Sequence, residues 1–177
     1  MPEAVPFLRY AARSEAGLVR KGNEDSAYAG PCLLAVADRM GGHAGGGTAS
    51  AAVIAAPAPL DGPAPPSGLP LALAAAAASA NARLRDMSAA DPALTGMGAT
   101  LTAMLWSGTR VALCHIGDSR AYLLRSGALC QLTRDHSLVQ SLLDEEVITP
   151  EEAATHPQRS VILTVYEPTS RPHRTLT

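Results

Sequence analysis

Hydrophobic and polar positions change in short blocks along the first half of the chain, and these blocks predict a few strands and two helices. The apolar run LLAVAD has the length of a buried strand and ends in a carboxylate. Small residues from His43 to Ala56 predict a helix that glycines weaken at its start. Six prolines between 57 and 70 predict a connection without regular structure, and an alanine-rich helix is expected at about 71–86. The predicted strands lie at 7–12, 26–29 and 33–38.

The second half of the chain has four short apolar runs separated by turn residues, which is typical of antiparallel strands. Ser107-Gly108 and Ser126-Gly127 have the composition of hairpin turns. A helix is predicted from about Ser137 to Glu145, and Thr149-Pro150-Glu151-Glu152 begins another with a capping box. Strands and helices come in separate runs rather than in strict alternation, so the expected fold class is α+β. The four runs are Thr100–Trp106, Arg110–Ile116, Ala121–Arg125 and Leu129–Thr133.

Composition narrows the class of protein without identifying it. The 177 residues are 47% hydrophobic and 17% charged, with a formal net charge of -2, which fits one globular domain. The chain has no basic stripe and few aromatic residues, so a nucleic-acid partner is not expected. No secretory leader or bilayer span is visible, so a cytoplasmic protein without membrane contact is expected. Three cysteines lack metal-site spacing, and two of them, Cys32 and Cys114, are predicted to be buried and inert.

Carboxylates stand beside glycines or at the ends of apolar runs in three segments, at 20–25, 37–43 and 115–120. Asp38 and Asp118 each follow an apolar strand, where a rigid element holds the side chain and leaves it within reach of solvent. Hard cations such as Mg²⁺ and Mn²⁺ prefer these oxygen ligands, and the guanidinium of Arg20 suits a phosphate. Each segment alone is more typical of an ordinary turn. The order and spacing of the three together point to a site.

The motifs, taken in order, resemble those of the bacterial PPM-type (type 2C) protein serine/threonine phosphatases. The stretch AGLVRKGNEDSAYAGPCLLAVADRMGGHAGG is similar to the opening of that family, and GMGATLTAMLW followed by HIGDSRAYLLRSGAL is similar to its next two motifs. RDHSLVQSLLDEEVITPEEAATHPQRSVIL resembles the segment beside the catalytic cleft. The resemblance runs from about Arg13 to Leu163. It implies a four-layer α-β-β-α sandwich of two antiparallel sheets flanked by helices.

The resemblance also implies an activity, which is hydrolysis of phosphoserine and phosphothreonine in proteins by a metal-activated water. Two Mn²⁺ or Mg²⁺ ions are implied, with a third in bacterial members, and the substrates implied are phosphoproteins made by bacterial serine/threonine kinases. Residue by residue, Asp38 is expected to bridge the metals, and the carbonyl of Arg39 to bind one of them. Glu24 would act through metal-bound water, Asp25 would organise the site, and Asp118 would bind the third ion. The remaining implied roles are phosphate binding by Arg20 and support of the site by Gly41 and Gly42.

The sequence departs from the family pattern at four places. Arg39 replaces a glycine, which would strain the backbone if φ were positive there and would place a cation near the metals. Glu146-Val147 replaces the Gly-Arg that follows a helix, which weakens the helix stop, and Gly47 replaces a carboxylate. After Leu163 the similarity ends, without the S-D-G and D-N segments whose aspartates complete the family's metal site. This predicts unpaired strand edges and an exposed apolar face.

The departures leave open whether this chain is active. The first hypothesis is a metal-dependent phosphatase, and the second is an impaired or inactive truncated relative. A small nucleic-acid-binding domain is a third and weaker alternative. The expected organisation is an N-terminal extension at 1–6, a partial phosphatase domain at 7–165, and a divergent, disordered tail at 166–177.

Overall fold

Nine strands and four α-helices make up the computed structural model, which describes residues 7–18, 22–40, 46–108, 110–163 and 175–176. Shorter 3₁₀ turns lie at Ala58–Leu60, Pro66–Gly68 and Pro92–Leu94. The helices are α1 (Gly46–Ala55), α2 (Leu69–Ala90), α3 (Leu138–Asp144) and α4 (Pro150–Thr155). The strands are β1 (Ser26–Ala29), β2 (Leu33–Ala37), β3 (Arg39–Met40), β4 (Gly98–Ala99), β5 (Leu101–Trp106), β6 (Val111–Ile116), β7 (Tyr122–Arg125), β8 (Ala128–Gln131) and β9 (Thr175–Leu176).

The central sheet is antiparallel and has the strand order β1-β2-β5-β6-β9. Alternate residues of its strands turn inward, as in Leu33, Ala35 and Ala37 of β2, all buried. Two further antiparallel pairs, β3 with β4 and β7 with β8, lie outside this sheet. The α+β class and the antiparallel sheets predicted from the sequence are therefore confirmed.

Helices α1 and α2 pack on the sheet and on each other through small side chains. Leu69, Leu73, Ala77, Ala80 and Leu84 of α2 are buried and recur at intervals of three or four, which puts them on one face of the helix. The many alanines of this layer let the helices approach the sheet closely. None of the described helices is long and apolar enough to cross a membrane.

The proline-rich connection is more ordered than the sequence predicted. Two 3₁₀ turns form within 57–70, and α2 already begins at Leu69, with a proline in its first turn, where the missing N–H costs no hydrogen bond. The helix continues to Ala90, four residues beyond the predicted end. Asp61 anchors this connection by accepting hydrogen bonds from the backbone N–H groups of Cys32 and Leu33.

Several boundaries can be compared directly with their predictions. The strand predicted at 7–12 is wrong, because these residues form no strand and lie mostly exposed. The helix predicted from His43 is described from Gly46 to Ala55, and 43–45 lie outside the described residues. Thr175 and Leu176, in the segment expected to be disordered, pair with β6, while 164–174 and 177 lie outside the described residues.

The predicted turns and caps are present. Ser126 and Gly127 both have positive φ, as a two-residue hairpin between β7 and β8 requires. Thr149 and Glu152 form the complete capping box of α4. Every residue of β7 and β8 is exposed, so this ribbon presents apolar side chains such as Leu124 and Leu129 to solvent.

The loss of glycine after α3 does not prevent a regular helix stop. Glu146 takes a left-handed φ of 56°, and its N–H donates to the carbonyl of Leu143 while the N–H of Val147 donates to that of Leu142. These are the two bonds of a Schellman motif. The motif forms with a glutamate in the position that glycine occupies at no steric cost.

Candidate metal centre

Asp38 lies in the break between β2 and β3, and its backbone is clamped to Thr100. Its N–H donates to Thr100 Oγ1 at 2.9 Å, and its carbonyl accepts from the N–H of Thr100 at 2.8 Å. Thr100 stands between β4 and β5, so the clamp joins two neighbouring strand ends. The two bonds fix the backbone of Asp38 at the strand end, the position from which the sequence predicted that its carboxylate would reach the site.

A cavity of about 220 Å³ opens beside Asp38. Asp25 and Asp38 both line it, together with Ser119 from the loop after β6. Three chain segments that are far apart in sequence therefore meet at one place. Asp25 is positioned by its own turn, because its N–H donates to Asn23 Oδ1 at 3.0 Å. The remaining lining residues are Arg13, Ser14, Ser26, Ala27, Val36 and Ala37.

The strand register explains why the two carboxylates meet. In the β1–β2 pair, Ser26 lies opposite Ala37. This is the last pair of the ladder, and Asp25 and Asp38 are the residues that directly continue β1 and β2 beyond it. Two carboxylates that line one cavity repel each other, so a cation nearby would stabilise them.

Glu24 and Arg39, the chain neighbours of Asp25 and Asp38, form an ion pair. The distance from Arg39 Nε to Glu24 Oε2 is 2.5 Å, and the two side chains are 21% and 37% exposed. Arg39 lies in β3, opposite Ala99. It is not among the described non-glycine residues with positive φ, which are Ser126 and Glu146. The backbone strain considered for Arg39 is therefore absent.

Asp118 faces a different cavity, of about 760 Å³, which it lines with Arg120 and Asp135. Arg120 forks onto Asp135 at 2.7–3.0 Å. Burial, and next the negative charge of Asp135, raise the pKa of Asp118. The structure therefore does not bring Asp118 into the cavity shared by Asp25 and Asp38.

Two threonines that sequence reasoning missed, Thr100 and Thr102, both bind Ser119 and so join the strands of this region. Thr100 Oγ1 and Ser119 Oγ are 2.8 Å apart, and Thr102 Oγ1 donates to the carbonyl of Ser119. Gly117 lies against Thr100 with φ of 103°, where a Cβ would stand 2.5 Å from Thr100 Cγ2. The sequence feature that could have pointed to Thr100 and Thr102 is the occurrence of two threonines inside the otherwise apolar run ATLTAML.

The described residues supply only part of a metal site. No group of three or more His, Cys, Asp or Glu that could hold an ion is found among them. Asp25 and Asp38 are the two carboxylates at the cavity, and Glu24 is held by Arg39. Arg20, Gly41 and Gly42, which were also predicted to belong to the site, lie outside the described residues.

Comparison with known proteins identifies the family and its fold. The family model for protein phosphatase 2C matches residues 61–142. The crystal structure of the Mycobacterium tuberculosis serine/threonine phosphatase PstP/Ppp is 52% identical with a TM-score of 0.90, over 97% of this chain and 75% of that one. The structure of the PstP catalytic domain in complex with two manganese ions is 49% identical with a TM-score of 0.86, over 96% and 70%.

The chain belongs to the protein phosphatase 2C family, since it covers three quarters of a solved relative at 52% identity. The curated serine/threonine protein phosphatase PstP of Mycobacterium tuberculosis H37Rv is 57% identical over 163 residues, which is 92% of this chain. The chain spans about a third of the length of that relative, 32%.

Proposed function

We propose that this chain forms the part of a serine/threonine protein phosphatase that carries the Asp38 side of the metal site. The observation that supports this most directly is the shared cavity of Asp25 and Asp38, in a chain that belongs to the protein phosphatase 2C family. The substrates proposed are proteins carrying phosphoserine or phosphothreonine, in the cytoplasm and opposite serine/threonine kinases. The cofactor proposed is Mn²⁺ or Mg²⁺, by analogy with the manganese-bound relative.

The residues of this chain have separable tasks in the proposed reaction. Asp38 offers its carboxylate to the metal, and Asp25 supplies a second negative group at the same cavity. Thr100 fixes the backbone at Asp38 through two hydrogen bonds, so the Cα from which the carboxylate extends is in position before anything binds. Arg20 is proposed to hold the phosphate. When bound, divalent ions activate a water molecule and stabilise charge on phosphoryl oxygens.

A second candidate function is that of a catalytically impaired relative. The Glu24–Arg39 ion pair favours it, because a carboxylate expected to serve the site is engaged by a cation of the chain itself. The described residues also bring only Asp25 and Asp38 to the cavity, fewer carboxylates than a tight two-metal centre uses. In this alternative the chain keeps the fold and binds metal weakly.

Hydrolysis of a phosphothreonine peptide with increasing Mn²⁺ separates the two candidates. For an active phosphatase we expect turnover that EDTA abolishes and that Asp38→Asn lowers by about a hundredfold or more, because the metal loses a charged ligand. Asp86→Asn on α2 is the matched control, since Asp86 is exposed and far along the chain from the cavity residues, and it should leave turnover unchanged. Turnover that survives both EDTA and Asp38→Asn would contradict the proposed function. Metal binding without turnover would favour the impaired relative.

A further inference from the structure

The ion pair between Glu24 and Arg39 lies directly beside the pair of carboxylates at the cavity. Glu24 precedes Asp25 and Arg39 follows Asp38, so each partner of the ion pair is the direct chain neighbour of a cavity carboxylate. Arg39 Nε lies 2.5 Å from Glu24 Oε2. The guanidinium of Arg39 therefore lies beside the cavity, in addition to that of Arg13, which lines it.

Arg39 is held firmly in this position. It belongs to β3, where it lies opposite Ala99, and the preceding residue is clamped to Thr100. Its side chain is only 21% exposed, so solvent screens its charge incompletely. A guanidinium cannot release its proton in a protein, so the charge is permanent.

The charge count at the ladder end has a direct consequence for cation binding. The cavity itself is lined by the carboxylates of Asp25 and Asp38 and by the guanidinium of Arg13. Arg39 adds a second permanent positive charge next to Asp38, so a divalent cation is attracted less strongly, and it must compete with this guanidinium for Glu24. Without any bound metal, the same positive charge reduces the repulsion between the neighbouring carboxylates.

We infer that Arg39 supplies part of the positive charge that a bound metal would otherwise supply. Its guanidinium holds Glu24 and lowers the affinity of the Asp25–Asp38 cavity for divalent ions. This rests on the proposed function, because it concerns the same site. It makes Arg39 a residue that sets metal affinity rather than one that touches the reacting atoms.

The test is Mn²⁺ binding by the full 177-residue chain, measured by titration calorimetry. Arg39→Gly and Arg39→Gln should each bind Mn²⁺ about tenfold more tightly or better, on the scale of effects that groups next to a metal ligand exert. Arg39→Lys keeps the charge and should remain close to the original chain. Arg85→Gln is the matched control, because it removes one positive charge from an exposed position of α2.

Thermal unfolding of the same variants gives a readout that is independent of activity. In EDTA, Arg39→Gln should unfold at a lower temperature than the original chain, because the carboxylates lose their counterion. Added Mn²⁺ should then raise the unfolding temperature of Arg39→Gln by more than it raises that of the original chain. Circular dichroism before each titration shows that the variants are folded.

The outcomes distinguish this inference from the proposed function. If the original chain and the Arg39 variants bind Mn²⁺ equally tightly, with equal thermal shifts, the inference is wrong and the proposed function stands. If no variant binds Mn²⁺, both fail. If Arg39→Lys behaves like Arg39→Gln, the effect comes from packing rather than charge, which also overturns the inference.

Discussion

Asp61 joins the proline-rich connection to the β1–β2 hairpin, and its removal tests how the turn of this hairpin, at the end opposite Asp25 and Asp38, is held. Its carboxylate accepts hydrogen bonds from the N–H of Cys32 at 2.7 Å, the N–H of Leu33 at 3.0 Å and the hydroxyl of Tyr28 at 2.9 Å. Gly30 lies so close that a Cβ there would stand 2.0 Å from Asp61 Oδ2. The hairpin turn and the carboxylate thus fit each other closely.

The expected loss from Asp61→Ala follows from the groups left behind. Two backbone N–H donors and one hydroxyl lose their acceptor, and an unsatisfied buried donor costs about 1–3 kcal/mol. Because Asp61 and most of its partners are partly exposed, water replaces some of these bonds, and we expect the free energy of unfolding to fall by about 2–3 kcal/mol in total. For a chain of this size that corresponds to a fall of about 4–12 °C in the unfolding temperature.

Urea unfolding of Asp61→Ala measures this loss against a matched control. Asp91→Ala removes an exposed carboxylate that accepts one hydrogen bond, from the N–H of Ala93 at 2.9 Å, and should cost about 1 kcal/mol or less. The bond to Asp61 raises the pKa of Tyr28, so Asp61→Ala should return that pKa toward its ordinary value in an ultraviolet titration. Equal losses for the two variants, or an unchanged Tyr28 pKa, would refute the assignment of these bonds.

Two further predictions concern the helix stop and the buried histidine. Glu146→Gly should stabilise the chain by about 0.5–1 kcal/mol in urea unfolding, because glycine adopts the left-handed φ without strain, whereas Glu145→Gly, at a φ of -85°, should not stabilise it. Burial lowers the pKa of His115, against the opposing charges of Asp135 and Asp118, so the unfolded chain takes up a proton at a pH where the folded chain does not. The free energy of unfolding should therefore fall as the pH drops below about 6.5. His115→Asn should make that fall shallower between about pH 7.5 and 5. An equal slope for the variant and the original chain would contradict the prediction.

The local elements of the fold could be predicted because their signals are short. The capping box of α4 lies within Thr149–Glu152, and the hairpin turn of β7–β8 within Ser126-Gly127, so each is complete in a few residues. The central strands were predicted from short apolar runs such as LLAVA, which are likewise complete within a few residues. The strand predicted at 7–12 is wrong because so short a mixed run does not distinguish a strand from a loop.

The long-range contacts that hold the site and the hairpin turn could not be predicted, because they join residues far apart in the chain. Thr100 holds Asp38 across 62 positions, and Asp61 holds Cys32 and Leu33 across 29 and 28. A threonine in an apolar run and an aspartate among prolines look ordinary until the partner is known. Cys114, by contrast, could be predicted, because its place in an apolar run indicated a buried, inert thiol. The residue is buried, and burial raises its pKa to about 11.

Arg39 shows how a departure from a pattern changes meaning once its surroundings are known. From the sequence it suggested backbone strain and repulsion of metals; in the structure its backbone is an ordinary strand and its side chain binds Glu24. Glu24 and Arg39 lie just beyond the last β1–β2 pair, Ser26↔Ala37, so the hairpin brings the two residues near each other. The same hairpin brings Asp25 and Asp38 to one cavity, so a few neighbouring residues place both negative charges and an internal cation at this end of the hairpin. In the proposed role of Arg39, this internal cation competes with divalent ions and so weakens metal binding at the site.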